Sequence, residues 1–234
     1  MKQICVITGG SKGLGKELAR EMLVAGNNVC LIARNAGELQ QTKNELSKVS
    51  KCEILTFAGD VSDEQFVSTV FETLGKDYTI NYLFNNAGVG RYCKVEENTR
   101  KIIDDVMNAS LIGTILVTAS ARPLMKEDGT IINIMSKAAL RGIANETAYC
   151  AAKWGQKGFT ESLRVELANR KIKVVGVYPG GINTPTFWNE NRHYVAEQTS
   201  ERFMKPQELA HAIVQNLFGK TSLYISELVF ERMK

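Results

Sequence analysis

The chain has 234 residues, 44% hydrophobic and 23% charged, a length and balance that suit a soluble globular α/β protein and exclude a disordered one. Its formal charge is +4 with lysines and arginines scattered, so nothing points to nucleic acid, and by eye no apolar run approaches the roughly twenty residues of a membrane span. Cys5, Cys30, Cys52, Cys93 and Cys150 match no metal-site spacing and read as small hydrophobes in a reducing cytosol; no metal and a cytoplasmic location are expected.

In chain order, short apolar runs alternate with longer helical patterns. Residues 3–8 predict a buried strand. Residues 14–26 predict a helix with Leu14, Leu18, Met22 and Ala25 on one face and Gly26 at its C-terminal cap. Between them lies "TGGSKGLG" (8–15). Of Gly9, Gly13 and Gly15, one allows a tight turn, one a close approach to a pyrophosphate, and one close packing of helix on strand. The helix behind the turn offers free N–H groups to phosphate. The spacing departs from the G-x-G-x-x-G fingerprint, and glycine also serves such turns for steric reasons alone.

The strand 28–33 ends at Ala33 and Arg34, where an NAD site often holds a carboxylate. Arg34, with Lys12 inside the glycine turn, favours the 2′-phosphate of NADP(H) over NAD(H). The alternative is two solvated surface charges. A polar helix (36–49), a strand (53–58), a helix (63–75) and a strand (81–85) follow. In the loop 59–63 Asp60 suits an adenine amino group, and Ser62 or Asp63 a helix cap. Asn85 and Asn86 suit holding their loop in shape.

A helical stretch near 99–126, a strand (130–135), a helix (147–170), a strand (173–178), a helix opened by Pro206 and a short strand near 223–230 complete the pattern. Such alternation predicts a single domain, 1–234, a doubly wound Rossmann fold with a parallel sheet and helices on both faces. The polar, aromatic segment 183–205 fits the rhythm least and is expected to be a substrate-binding loop. Phe187, Trp188, Tyr194 and Phe203 there suit an apolar lid, or equally a loop or oligomer contact.

In "TAYCAAKWGQKGF" (147–159) Tyr149 stands four places before Lys153, which puts them on one helical face. An ammonium beside a phenol is expected to lower its pKa from ~10. As a lone pair these residues are ordinary helix neighbours, and Ser136 alone is an ordinary turn residue.

Taken together, "TGGSKGLG", "NNAG" (85–88), Asn108, Ser136 thirteen residues before Tyr149, "YCAAK" (149–153) and "PGGINT" (179–184) resemble the short-chain dehydrogenases/reductases in order and spacing across almost the whole chain. The resemblance implies a seven-stranded Rossmann fold, an NADP(H)-dependent oxidoreductase acting on a small carbonyl or alcohol, and a homodimer or homotetramer. It implies catalytic roles for Asn108, Ser136, Tyr149 and Lys153. Tyr149 would be the acid/base, Lys153 its partner, Ser136 the carbonyl ligand, and Asn108 the support of a water reaching Lys153. Cofactor contacts would come from Gly9, Ser11, Lys12, Gly13, Leu14, Gly15, Arg34, Asp60, Val61, Asn86, Ala87, Gly88, Tyr149, Lys153, Pro179, Gly180, Ile182 and Thr184. The stretch "VGRY" (89–92) and the tail 222–234 depart from the 3-oxoacyl-acyl-carrier-protein reductases, which makes that role less favoured than a general carbonyl reductase; the missing glycine-rich tail also weighs against a tetramer. Arg91 and Tyr92 are near enough to shape the pocket, and Arg141 suits an anionic substrate or, more simply, an exposed charge. A non-catalytic NADPH-binding sensor or scaffold would keep the glycine turn but need not keep Ser136, Tyr149 and Lys153 together.

Overall fold

The computed structural model describes residues 1–184, 203–218 and 223–233. Its described strands form one seven-stranded sheet, every pairing parallel. They are β1 (Lys2–Thr8), β2 (Asn28–Ala33), β3 (Ile54–Ala58), β4 (Tyr78–Asn85), β5 (Met125–Ile134), β6 (Lys173–Pro179) and β7 (Glu227–Phe230), in the order β3-β2-β1-β4-β5-β6-β7. The inner stretches of the central strands, such as Ile4–Ile7 on β1 and Val174, Val175 and Val177 on β6, are apolar and buried because both sheet faces are covered. One core lies between the sheet and α1 (Gly13–Val24), α2 (Ala36–Leu46) and α7 (Pro206–Gln215), with Leu18, Leu39 and Ile213 fully buried. The other lies under α3 (Glu64–Leu74), α5 (Gly113–Ala121) and α6 (Thr147–Leu167), and holds Val70, Val117 and Leu163, while α4 (Arg100–Met107) packs Val106 in a smaller cluster with Val89 and Ala152.

Chain order reverses between β1 and β4, which opens a crevice at the strands' C-terminal ends, where open α/β sheets bind ligands. Thr8 closes the floor of that crevice. Its hydroxyl donates to the Phe84 carbonyl at 3.3 Å and accepts from the amides of Asn86 and Ala87, each at 3.0 Å. Deeper, Asn85 donates to Thr118 Oγ1 (2.9 Å) and Asn133 Oδ1 (2.8 Å), and Asn133 to Thr160 Oγ1 (2.9 Å). A buried polar chain therefore ties β4, β5, α5 and α6 together, and buried groups of this kind keep their place only while bonded.

Several boundaries differ from the sequence pattern, β4 beginning at Tyr78 rather than 81 and β7 at Glu227 rather than near 223 among them. The stretch 99–126 is not one α-helix: a π-turn at Asn108–Ile112 separates α4 from α5. Pro123 closes the helical stretch in a short 3₁₀ turn, and β5 begins at Met125, which pairs with Ile80. α2 stops at Leu46 rather than 49. By length and composition the 25-residue stretch Arg100–Leu124 is apolar enough to cross a membrane, contrary to the expectation that no run approaches that test. In the fold it is the crossover from β4 to β5, and Val106, Val117 and Ala121 on it are fully buried. Most of segment 183–205, with Phe187, Trp188 and Tyr194, lies outside the described residues. At its ends Ile182 bridges Met204, and the Asn183 amide donates to the Met204 carbonyl at 2.9 Å.

Candidate active site

A cleft of about 870 Å³ runs along the C-terminal ends of the strands. The glycine turn forms one wall. Gly9 (φ +66°) and Gly13 (φ +54°) adopt the left-handed backbone that side chains disfavour. A Cβ on Gly15 would stand 2.2 Å from the Gly9 carbonyl, so Gly15 is the glycine that lets α1 pack on the turn. A Cβ on Gly13 would project to 3.2 Å from Thr184 across the cleft, filling the space a pyrophosphate needs. No side chain caps α1 and no acid lies in its first turn, so its leading amides face the cleft with the positive end of the helix dipole. This cradle fits a dinucleotide.

Every residue matched above to cofactor contacts lines the cleft, as do Ser136 and Tyr92. Arg34 is exposed at one end, and Lys12 is held there by Glu38, Nζ to Oε1 at 3.0 Å. The second carboxylate oxygen of Glu38 accepts from Ser11 Oγ at 3.0 Å. The Lys12 ammonium holds the Glu38 carboxyl below its usual range. Glu38 was not singled out in the sequence because an acid in a polar helix looks solvated. Asp60 accepts from the amide and hydroxyl of Ser62, while Asp63 caps α3 by accepting from Phe66 N. Asn86 both lines the cleft and fastens the glycine turn, donating to the carbonyls of Thr8 (2.9 Å) and Gly9 (3.3 Å).

The other end holds Ser136, Tyr149 and Lys153. Ser136 Oγ accepts from Ala138 N at 3.1 Å, which leaves its proton free to donate, and the Tyr149 phenol is within hydrogen-bonding reach. The turn role and the site role coexist in one serine. Lys153 is 3% exposed; its Nζ donates to Gln156 Oε1 at 2.7 Å and the Ile134 carbonyl at 3.3 Å. Gln156, fully buried, donates in turn to Thr114 Oγ1 at 2.8 Å. Two of the three ammonium hydrogens are thus directed, leaving one for the cleft. A Cβ on Gly88 would lie 3.5 Å from Lys153 Nζ and 3.4 Å from Ser110 Oγ, and that buried Ser110 hydroxyl has no hydrogen-bond partner among the described residues.

Asn108 is not among the residues lining the cleft. It opens the π-turn, and its carbonyl accepts from Gly113 N. Arg91 pairs with Asp105 at 3.8 Å and does not line the cleft, whereas Tyr92 sets its ring edge-on to Tyr149, centroids 5.9 Å apart. Exposed Arg141 stands on the rim.

The expectation of a lowered tyrosine pKa is not met in the unliganded chain. Burial, the largest cause, pushes the Tyr149 phenol up to about 12, against the Ser136 hydrogen bond and with the Glu146 carboxyl adding to the rise. Burial also brings Lys153 down to about 7. Desolvation penalises both charged forms, and an ammonium pushed towards neutrality lends its neighbour little charge. Its Nζ stays 5.7 Å from the Tyr149 ring centroid.

The fold and site define a dinucleotide-binding oxidoreductase scaffold with a Ser–Tyr–Lys centre, and comparison with known proteins agrees. The family described as short chain dehydrogenase matches residues 3–195, and the chain belongs to it. It is 33% identical to carbonyl reductase family member 4 of Danio rerio, covering 97% of this chain and 94% of that one. It is 32% identical to a 3-oxoacyl-[acyl-carrier-protein] reductase of Rattus norvegicus, covering 92% and 90%. An actinorhodin polyketide ketoreductase variant solved with NADPH superposes with a TM-score of 0.87 at 25% identity, covering 97% and 95%.

Proposed function

We propose that this protein is an NADP(H)-dependent reductase of a small carbonyl compound, working reversibly on the matching alcohol, with Tyr149 as its proton donor. The observation that carries this reading is the convergence of Ser136, Tyr149 and Lys153 at one end of a cleft whose other end is a glycine cradle with two cations. The cofactor would lie from Arg34 and Lys12, past Gly13 and Gly88, to Lys153 and Thr184, and when bound it supplies the hydride. A sensor or scaffold would not require the phenol and serine to converge there.

The residues divide the remaining work. Ser136 donates to the carbonyl oxygen and draws electron density from the carbon. Tyr149, still protonated at neutral pH because its pKa is raised to about 12, passes its proton to that oxygen as hydride arrives at the carbon. The undirected N–H of Lys153 is left to hold a ribose hydroxyl or water and return a proton to Tyr149. Preference for NADP(H) is supported by Arg34 and Lys12 and opposed by Glu38, whose carboxylate engages Lys12 and must yield it to a 2′-phosphate.

Similarity does not choose the substrate, since relatives of two names match at nearly the same identity. We place the general carbonyl role above the acyl-carrier one on the departures at 89–92 and 222–234, place the protein in the cytoplasm, and assign it a homodimer. The dimer reading is supported by exposed Ile103, Ile112 and Ile115 on the crossover helices and exposed Trp154 and Val165 on α6. The test is oxidation of NADPH and of NADH against a panel of ketones and aldehydes. Faster NADPH turnover with at least one carbonyl is expected; cofactor binding with no turnover across the panel would favour the sensor.

A further inference from the structure

The reduction leaves one acid of the cleft without a use. Glu146 directly precedes α6, one helical turn ahead of Tyr149. It occupies the N-cap position, yet its side chain accepts no helix N–H, and glutamate is not a residue that caps well. The carboxyl is partly buried, lines the cleft, and has no hydrogen bond or ion pair among the described residues. Lys137 nearby is tied to Glu231, Arg141 is exposed on the rim, and the Lys153 ammonium is turned to Gln156 and Ile134.

What stands around Glu146 is aromatic. Its charge is felt by both Tyr149 and Tyr92, whose rings meet at 77°. A carboxylate near two rings packed edge to face can offer a cation one ion pair and the ring face that this packing leaves uncovered, the composition of an ammonium site. Beside a neutral ligand the carboxyl escapes an unpaired charge in this partly dry place by taking up a proton, beside an anion it must do so, and only a cation lets it stay ionised. Burial already raises its pKa to about 7, the expected response of a carboxyl awaiting a counter-charge. Glu146 stands three residues before Tyr149 and close enough for its charge to act on that phenol, so a cation held on Glu146 lies near a carbonyl bonded to Tyr149.

We propose that Glu146, with the rings of Tyr92 and Tyr149, selects carbonyl substrates that carry a protonated amine a few bonds from the reacting carbon. This rests on the carbonyl reduction proposed above.

The test compares three ring ketones of similar size: N-methylpiperidone (cationic), methylcyclohexanone (neutral) and a cyclohexanone carboxylate (anionic). The ratio of kcat/KM for the cationic over the neutral ketone is expected to be about tenfold or more, equivalent to ~1.4 kcal/mol. Glu146→Gln should bring that ratio near one, and Glu146→Lys should shift preference to the carboxylate. Calorimetry with the unreactive amine N-methylpiperidine gives a second readout, with binding about tenfold weaker in Glu146→Gln. An unchanged ratio and unchanged amine binding in Glu146→Gln would overturn the proposal, as would a wild-type preference for the anionic ketone, which would hand the selection to Arg141. Turnover of the neutral ketone with no Glu146 effect sinks the ammonium site alone. Glu146-dependent amine binding without any turnover sinks the reductase reading and leaves the site standing.

Discussion

The two ends of the cleft are built differently. The glycine-turn end is made from backbone: two positive-φ glycines, a third where an added Cβ would stand 2.2 Å from a carbonyl, and the bare amides of α1, all from residues 8–15. The proposed catalytic end is made from side chains on separate segments: Tyr92 after β4, Ser136 after β5, Glu146 just ahead of α6, and Tyr149 and Lys153 on α6 with Gln156 behind them. Backbone cradles depend on local sequence and tolerate little change. An assembled side-chain site depends on tertiary packing and can be retuned one residue at a time.

That contrast can be broken at either end. The largest effect is expected at the cradle's charged rim. Lys12→Ala with Arg34→Asp should weaken NADPH binding by a hundredfold or more and NADH binding only a few-fold, since charged hydrogen bonds are worth ~1.5–3 kcal/mol each. Equal losses in titrations of the two cofactors would refute a 2′-phosphate site. Glu38→Gln works the other way, freeing Lys12, and should tighten NADPH binding several-fold.

A smaller effect is expected from Gln156, which touches neither cleft nor substrate and acts by positioning Lys153. With a neutral ketone, Gln156→Leu should lower kcat about tenfold, the loss of one hydrogen bond to a charged group. The diagnostic is the pH profile. Lys153 titrates at about 7, cationic below and neutral above. Removing its acceptor disfavours the cation and moves that limb to lower pH; Gln156→Glu favours the cation and moves it higher. A rate loss with an unmoved limb would mean that Gln156 merely packs.

The smallest expected effect is on stability. Between pH 7 and 10.5, the lowered and the ordinary lysine values, the unfolded chain holds a proton on Lys153 that the folded chain has released. Stability attributable to this group therefore rises across that window. Denaturant midpoints in wild type and Lys153→Met, compared at the two ends of the window, should favour the methionine variant on the acid side, where the buried ammonium destabilises the wild type, and draw together on the alkaline side.

The same contrast explains what the sequence disclosed. The cradle was readable because Gly9, Gly13 and Gly15 lie within eight residues, and strand–helix alternation follows from burial on both sheet faces. Four-residue spacing put Tyr149 and Lys153 on one helical face, but only the ordered set of motifs singled the pair out from ordinary helix neighbours. Gln156 on the same helix and Glu146 just ahead of it went unremarked, because spacing says which residues share a face but not what the opposite wall lacks. The π-turn was equally hidden, for no proline marks it: a Cβ on Gly113 would sit 2.5 Å from Val61, and only the packed structure reveals that contact. The tyrosine pKa was misjudged for a related reason, since a charge pair can be read from sequence but the burial that outweighs it cannot.

The central claim, that Tyr149 gives the proton in an NADPH-dependent reduction, is met most directly by Tyr149→Phe. With whichever carbonyl the panel yields, single-turnover reduction should fall by ~10²–10⁴-fold while NADPH binding stays within a few-fold of wild type. Turnover at the wild-type rate in that variant would contradict the account.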